Sequence, residues 1–199
     1  MPPRPHARVP FALLAALVAL PLARPALAAP TVLIDDFDSL DARTPLGTSW
    51  QGFSDAVMGG RSTYQLTFEP VRGKPSLRLR GEVSLENRGG FIQAALPLAA
   101  SGKVLDASGR QGVRVIVSGR PGSYAIHLRT TDHRLPWQFH SAPLPVGPTW
   151  QTVDLPFTQF EGSGWGVGKL DPRKLQRLGL VAIKQAFQAD LAVAHVSLY

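Results

Sequence analysis

The chain is 199 residues long and carries 21 Lys and Arg against 14 Asp and Glu, a formal net charge of +7. It contains no cysteine, which excludes a disulfide framework, a thiolate metal site and a cysteine nucleophile. The basic residues are scattered along the chain rather than clustered, so they do not form a nucleic-acid footprint.

The first segment predicts a cleavable export signal over residues 1–28. Arg4 and Arg8 precede an apolar run from Phe11 to Leu20, and the small-residue site Ala26-Leu27-Ala28 follows. The run is well short of the roughly 20 residues a spanning helix needs, and Pro21 and Pro25 close it. Cleavage after Ala28 or Ala29 removes Arg4, Arg8 and Arg24, leaving 18 basic residues against 14 acidic ones, a net charge of +4. The expected product is one periplasmic or secreted domain over residues 29–199, without a membrane span. Lacking cross-links, it must be stabilised by a packed core.

Beyond the signal, Gly and Pro punctuate short alternating runs, the pattern of a sandwich or barrel. Tyr64, Leu66 and Phe68 alternate with Thr63, Gln65 and Thr67. Leu77, Leu79 and Val83 alternate with Arg78, Arg80 and Glu82, so both runs predict strands with one dry face. Phe91 to Leu98 is apolar on both faces, which predicts a central strand. Val113–Ser118 and Tyr124–Thr130 flank the turn sequence Gly119-Arg-Pro-Gly122 and predict a hairpin. Trp137–Leu144, Trp150–Leu155 and Leu191–Tyr199 predict further strands. In the last, Ala192, Ala194, Val196 and Leu198 should face opposite Leu191, Val193, His195 and Tyr199. The one helical signal is Asp171-Pro172 opening a turn through Arg177, with Gly179 ending it. The pattern predicts an all-β fold, an antiparallel β-sandwich of the jelly-roll type. Its core should draw on Leu66, Phe68, Leu77, Leu79, Phe91, Val115, Ile126, Leu128, Val153 and Val196.

Two stretches are more particular than strand-and-turn chemistry requires. One runs Trp50-Gln-Gly-Phe-Ser-Asp55-Ala-Val57-Met58-Gly59-Gly60-Arg-Ser62; the other runs Gly81-Glu-Val-Ser-Leu-Glu-Asn87-Arg88-Gly89-Gly90-Phe91. With Gly112–Gly119, Tyr124–Arg129, Trp150–Phe157 and Leu178-Gly-Leu180, the order resembles the family of complex I intermediate-associated protein 30, from about Ile34 to Tyr199. The resemblance implies a galactose-binding-domain-like jelly roll, an assembly-factor role toward respiratory complex I, and no established catalytic residues. An export signal departs from the mitochondrial setting of that role.

The glycine-rich corners supply the main candidate binding rim: Asp55, Met58, Gly59, Gly60 and Ser62, then Asn87, Arg88, Gly89 and Gly90. Paired glycines allow close backbone approach and positive φ. The structural alternative is a tight corner in which Asp55 caps the turn and Met58 plugs a core gap. Trp50, Phe53, Trp137 and Trp165 could form a stacking platform for sugar rings. Of these, Trp137 and Trp165 join the rim, whereas Trp50, with Trp150, is expected to pack at a strand start. Asp35, Asp36, Asp38 and Asp41 lack the spacing of a calcium loop and are expected to be a solvated acidic turn. His127, His133, His140 and His195 follow no metal or nucleophile spacing, and no cofactor, metal or catalytic set is predicted. The expected function is non-catalytic binding of a protein partner, a membrane complex being one option. A carbohydrate-binding module and a hydrolase with a carboxylate pair are the alternatives.

Overall fold

The computed structural model describes Met1 and residues 31–199, so the export-signal reading over residues 1–28 lies, Met1 aside, outside the described residues. Among the described residues the chain forms twelve strands and four short 3-10 turns. The first sheet contains β1 (Val32–Asp35), β3 (Thr63–Val71), β4 (Lys74–Val83), β6 (Gly112–Gly119), β9 (Gln151–Pro156) and β12 (Phe187–Leu198). The second contains β2 (Gln51–Ser54), β5 (Phe91–Pro97), β7 (Tyr124–Thr130), β8 (Phe139–Pro143), β10 (Glu161–Ser163) and β11 (Leu175–Ile183). The first is ordered β3-β4-β12-β6-β9, with β1 beside the far end of β12; the second is ordered β10-β8-β7-β11-β5-β2. Every pairing between these strands is antiparallel, as the jelly-roll expectation requires.

The core lies between the sheets because each strand turns one apolar row inward. Leu77 and Leu79 of β4, Val113, Val115 and Val117 of β6, and Leu191 and Val193 of β12 meet Ile92 and Leu96 of β5, Ile126 and Leu128 of β7, and Leu178 and Leu180 of β11. Each is fully buried. At about 1.5–3 kcal/mol per buried aliphatic side chain, this layer supplies the main driving force for folding. Leu66, Phe68 and Val153 pack against it from partly buried positions.

Four local expectations are corrected. The arms flanking Gly119–Gly122 do not pair: β6 lies between β12 and β9, whereas β7 lies between β11 and β8. The Gly-Pro-rich connection reverses the chain but carries it from one sheet to the other, since turn residues specify a reversal and not the partner of the strand that follows. The turn opened by Asp171, whose carboxylate accepts from Arg173 N at 3.1 Å, ends at Lys174. Leu175 to Ile183 is then strand, with Gly179 at its middle. The strict alternation expected for β12 breaks where its register against β6 shifts between Val193 and His195. This bulge brings Val196 and Leu198 onto the same core as Leu191 and Val193. Finally, β5 lies one strand from the sheet edge, and Phe91 is half-buried on the outer face rather than in the core.

Candidate functional site

Asp55 is the hub of both glycine-rich stretches. It opens the 3-10 turn Asp55–Met58 directly after β2, and its side chain has no exposed surface. Its Oδ1 accepts from Ser62 N at 2.9 Å, and its Oδ2 from the Ser62 hydroxyl at 2.5 Å, Gly90 N at 2.5 Å and Phe91 N at 3.2 Å. Burial alone would raise this carboxyl's pKa. The hydroxyl of Ser62 and the N–H groups of Gly90, Ser62 and Phe91 outweigh it and hold the group below its ordinary value. The two glycine pairs divide their labour in the same way. Gly59 and Gly90 take positive φ, +87° and +134°, while a Cβ on Gly60 or Gly89 would collide with the Asp55 carboxylate. The corner reading of these motifs therefore has a physical basis: a buried anion is enclosed by backbone too close for any side chain.

The corner also aims Val57 and Met58 outward, 72% and 64% exposed, so Met58 plugs no core gap. They overhang a groove of about 540 Å³ on the face of the second sheet turned away from the core. Its floor is Phe53 of β2, Phe91 and Gln93 of β5, and Val181 of β11. The opposite side is built by His127 of β7, Phe139 of β8 and Trp137 from the connection between them. Phe53 meets Phe91 edge-on at 5.9 Å, and His127 stacks on Phe139 with ring centres 4.0 Å apart. Burial, with Lys184 nearby, lowers the His127 pKa to about 4, so its ring is neutral at neutral pH. Arg129 and Arg177 close one end. The lining includes neither Asp nor Glu, so the groove offers an apolar, aromatic and basic bed without a carboxylate pair.

The remaining expected rim residues lie elsewhere. Gly60, Ser62, Gly89 and Gly90 belong to the Asp55 hub beneath the surface loops. Asn87 and Arg88 are exposed on a turn with positive φ, 53° and 60°. Trp165 is 96% exposed outside the groove, and its carbonyl accepts from Gln138 Nε2 at 3.1 Å, which ties its loop to that of Trp137. Trp50 is buried and donates to Asp35 Oδ2 at 2.7 Å, so the most buried of the four early acids is spent on a core indole. His133 and His140 approach to 4.9 Å between ring centres. His133 Nδ1 accepts from Thr130 N, and His140 Nε2 contacts the Gly168 carbonyl. Among the described residues no three His, Asp or Glu side chains converge as a metal site. Sequence reasoning missed Phe91, Gln93, His127, Arg129, Phe139, Arg177 and Val181 as groove residues. Their signal was the row alternating with the core on β5, β7, β8 and β11, which converges only once the strand order is known.

The structure is thus a two-sheet jelly-roll sandwich with an aromatic groove on the outer face of one sheet. The chain belongs to the complex I intermediate-associated protein 30 family, whose family model matches residues 37–193. No curated protein matches it by sequence. Among solved structures, the family 11 carbohydrate-binding module of a cellulosomal cellulase of Clostridium thermocellum is similar, with TM-score 0.66 and 13% identity over 86% of this chain and 95% of that one. The family 30 carbohydrate-binding module of another cellulosomal cellulase of that organism gives TM-score 0.60 and 15% identity, over 86% and 98% of the two chains. An agarase gives TM-score 0.51 and 11% identity over 83% of this chain, which spans 26% of that enzyme. At these identities the likeness is one of fold.

Proposed function

We propose that the chain is an exported, non-catalytic binding module that seats a segment of a protein partner in the groove of the second sheet, in an assembly or scaffolding role. The observation that carries this reading is the exposure of Val57, Met58 and Trp137 around one apolar hollow. Leaving such side chains in water forgoes on the order of 1.5–3 kcal/mol each, and clustered exposure of this kind marks interaction surfaces. Membership of a family named for association with a complex I intermediate supports a protein partner. The export signal expected over residues 1–28 supports a partner in the cell envelope, with a membrane complex the natural candidate. Among the described residues no helix is long and apolar enough to cross a membrane.

Affinity capture from detergent extracts of the source membranes tests this with wild type and the double variant Met58→Asp/Trp137→Ala. Both positions are exposed, so the variant should keep its circular dichroism spectrum. Wild type is expected to retain partners that the variant loses; identical captures would contradict the reading. A second reading, carbohydrate binding, is favoured by the exposed Trp137 indole beside the stacked His127–Phe139 pair and the Gln93 amide. Titration with β-glucan and cell-wall oligosaccharides, read by tryptophan fluorescence, separates the two. A response abolished by Trp137→Ala would favour sugar, and silence toward every glycan would remove it.

A further inference from the structure

Arg177 of β11 and Arg129 of β7 stand directly opposite each other in the ladder joining their strands. Like charges in directly opposed positions destabilise a sheet, so this pairing runs against the local rule. Neither guanidinium meets a carboxylate among the described residues. Arg129 is instead held by carbonyls, donating from Nη1 to Pro136 O at 2.8 Å and from Nη2 to Leu135 O at 3.0 Å and His133 O at 3.3 Å. Partial burial, and then the charge of Arg177, both work against its protonated form. Arg177 is exposed with no side-chain partner among the described residues.

The surroundings supply no countercharge. A second hollow of about 590 Å³ shares Arg129, Pro136 and Arg177 with the groove and adds Lys103 and Arg134. Neither hollow has an Asp or Glu in its lining. The apolar groove thus runs into a trough with four cations and no anion. Rules broken locally without internal compensation are expected where a ligand supplies the compensation.

We propose that Arg129 and Arg177 form a carboxylate-binding subsite at the end of the groove. Its occupant is a polypeptide segment that lays apolar side chains over Phe53, Phe91 and Val181 and places an acidic side chain between the two arginines. A carboxylate has two oxygens and can serve two guanidiniums through short, charge-assisted hydrogen bonds. A peptide of this composition matches both halves of the bed, apolar then cationic. The inference rests on the groove reading and adds the partner's charge.

The test pans a phage-displayed random peptide library against the immobilised 29–199 chain, its Arg177→Gln variant and the Met58→Asp/Trp137→Ala variant. Oligogalacturonate is titrated in parallel as an anionic glycan. Wild type is expected to select apolar sequences enriched in Asp or Glu, and Arg177→Gln to lose the acidic enrichment. A synthetic copy of a selected peptide should bind Arg177→Gln roughly tenfold more weakly, with the gap narrowing as salt rises. Thermal melts add a readout without ligand: Arg177→Gln should melt higher than wild type at low salt, because it removes the opposed pair. Selection of apolar peptides with no acidic enrichment by wild type would overturn the subsite and leave the groove standing. Selections unchanged by Met58→Asp/Trp137→Ala would overturn the groove and the subsite together. Binding of oligogalacturonate alone would overturn the peptide assignment. A lower or unchanged melt for Arg177→Gln would overturn the repulsive pair on which the inference is built.

Discussion

Asp55 shows how one side chain can account for a motif that spans two regions of sequence. Its carboxylate collects donors from Ser62, Gly90 and Phe91, so the Val-Met-Gly-Gly and Asn-Arg-Gly-Gly stretches form two walls of a single anion cage. Charge-assisted hydrogen bonds contribute about 1.5–3 kcal/mol each, and a donor left buried without an acceptor costs about 1–3 kcal/mol. Asp55→Ala is therefore expected to destabilise the fold by roughly 3 kcal/mol or more, measured by urea denaturation. The sign with pH follows from its depressed pKa. The contribution is complete above the unfolded carboxyl value, about 3.9, and is lost as pH falls through the lower folded value. Wild type should accordingly lose stability in acid below about pH 4, and Asp55→Asn should show a flatter acid limb. An equal acid limb in both would remove Asp55 from this role.

At the level of elements, the sequence made some features legible and hid others for identifiable reasons. Alternation over Thr63–Phe68 and Leu77–Val83 announced β3 and β4, which form a long two-strand ladder. The Asp171-Pro172 cap was legible because capping is local; the strand after it was not, because β11 gains its hydrogen bonds from β5 and β7, distant in sequence. The same distance hid the sheet-to-sheet passage at Gly119–Gly122 and the bulge in β12 that turns Val196 inward. The glycine-rich corners could be read as corners, but not their shared anion, since Gly90 lies 35 residues from Asp55. The groove was the least visible. Only Met58 and Trp137 of the expected rim line it, because its lining is assembled from residues of five strands whose order no short motif records.

Taken whole, the sandwich has two unlike outer faces. On the first sheet two arginines are paired with carboxylates: Arg78 forks onto Asp190 at 2.9 and 2.8 Å, and Arg114 onto Asp154 at 2.6 and 2.7 Å. On the second, arginines oppose each other and Val57, Met58 and Trp137 stand in solvent beside an aromatic floor. Surface ion pairs contribute little to stability, but these two already meet the charge of Arg78 and Arg114. The second face is left with apolar area and positive charge, both of which a ligand can relieve. The central claim is that binding occurs on that face. The most direct test places a photo-crosslinking p-benzoylphenylalanine at Trp137, in the groove wall, or at Thr152, on the outer face of β9, and irradiates cells expressing each full chain. Discrete adducts from the Trp137 position and none from Thr152 are predicted; adducts from Thr152 alone, or equal adducts from both, would contradict the account.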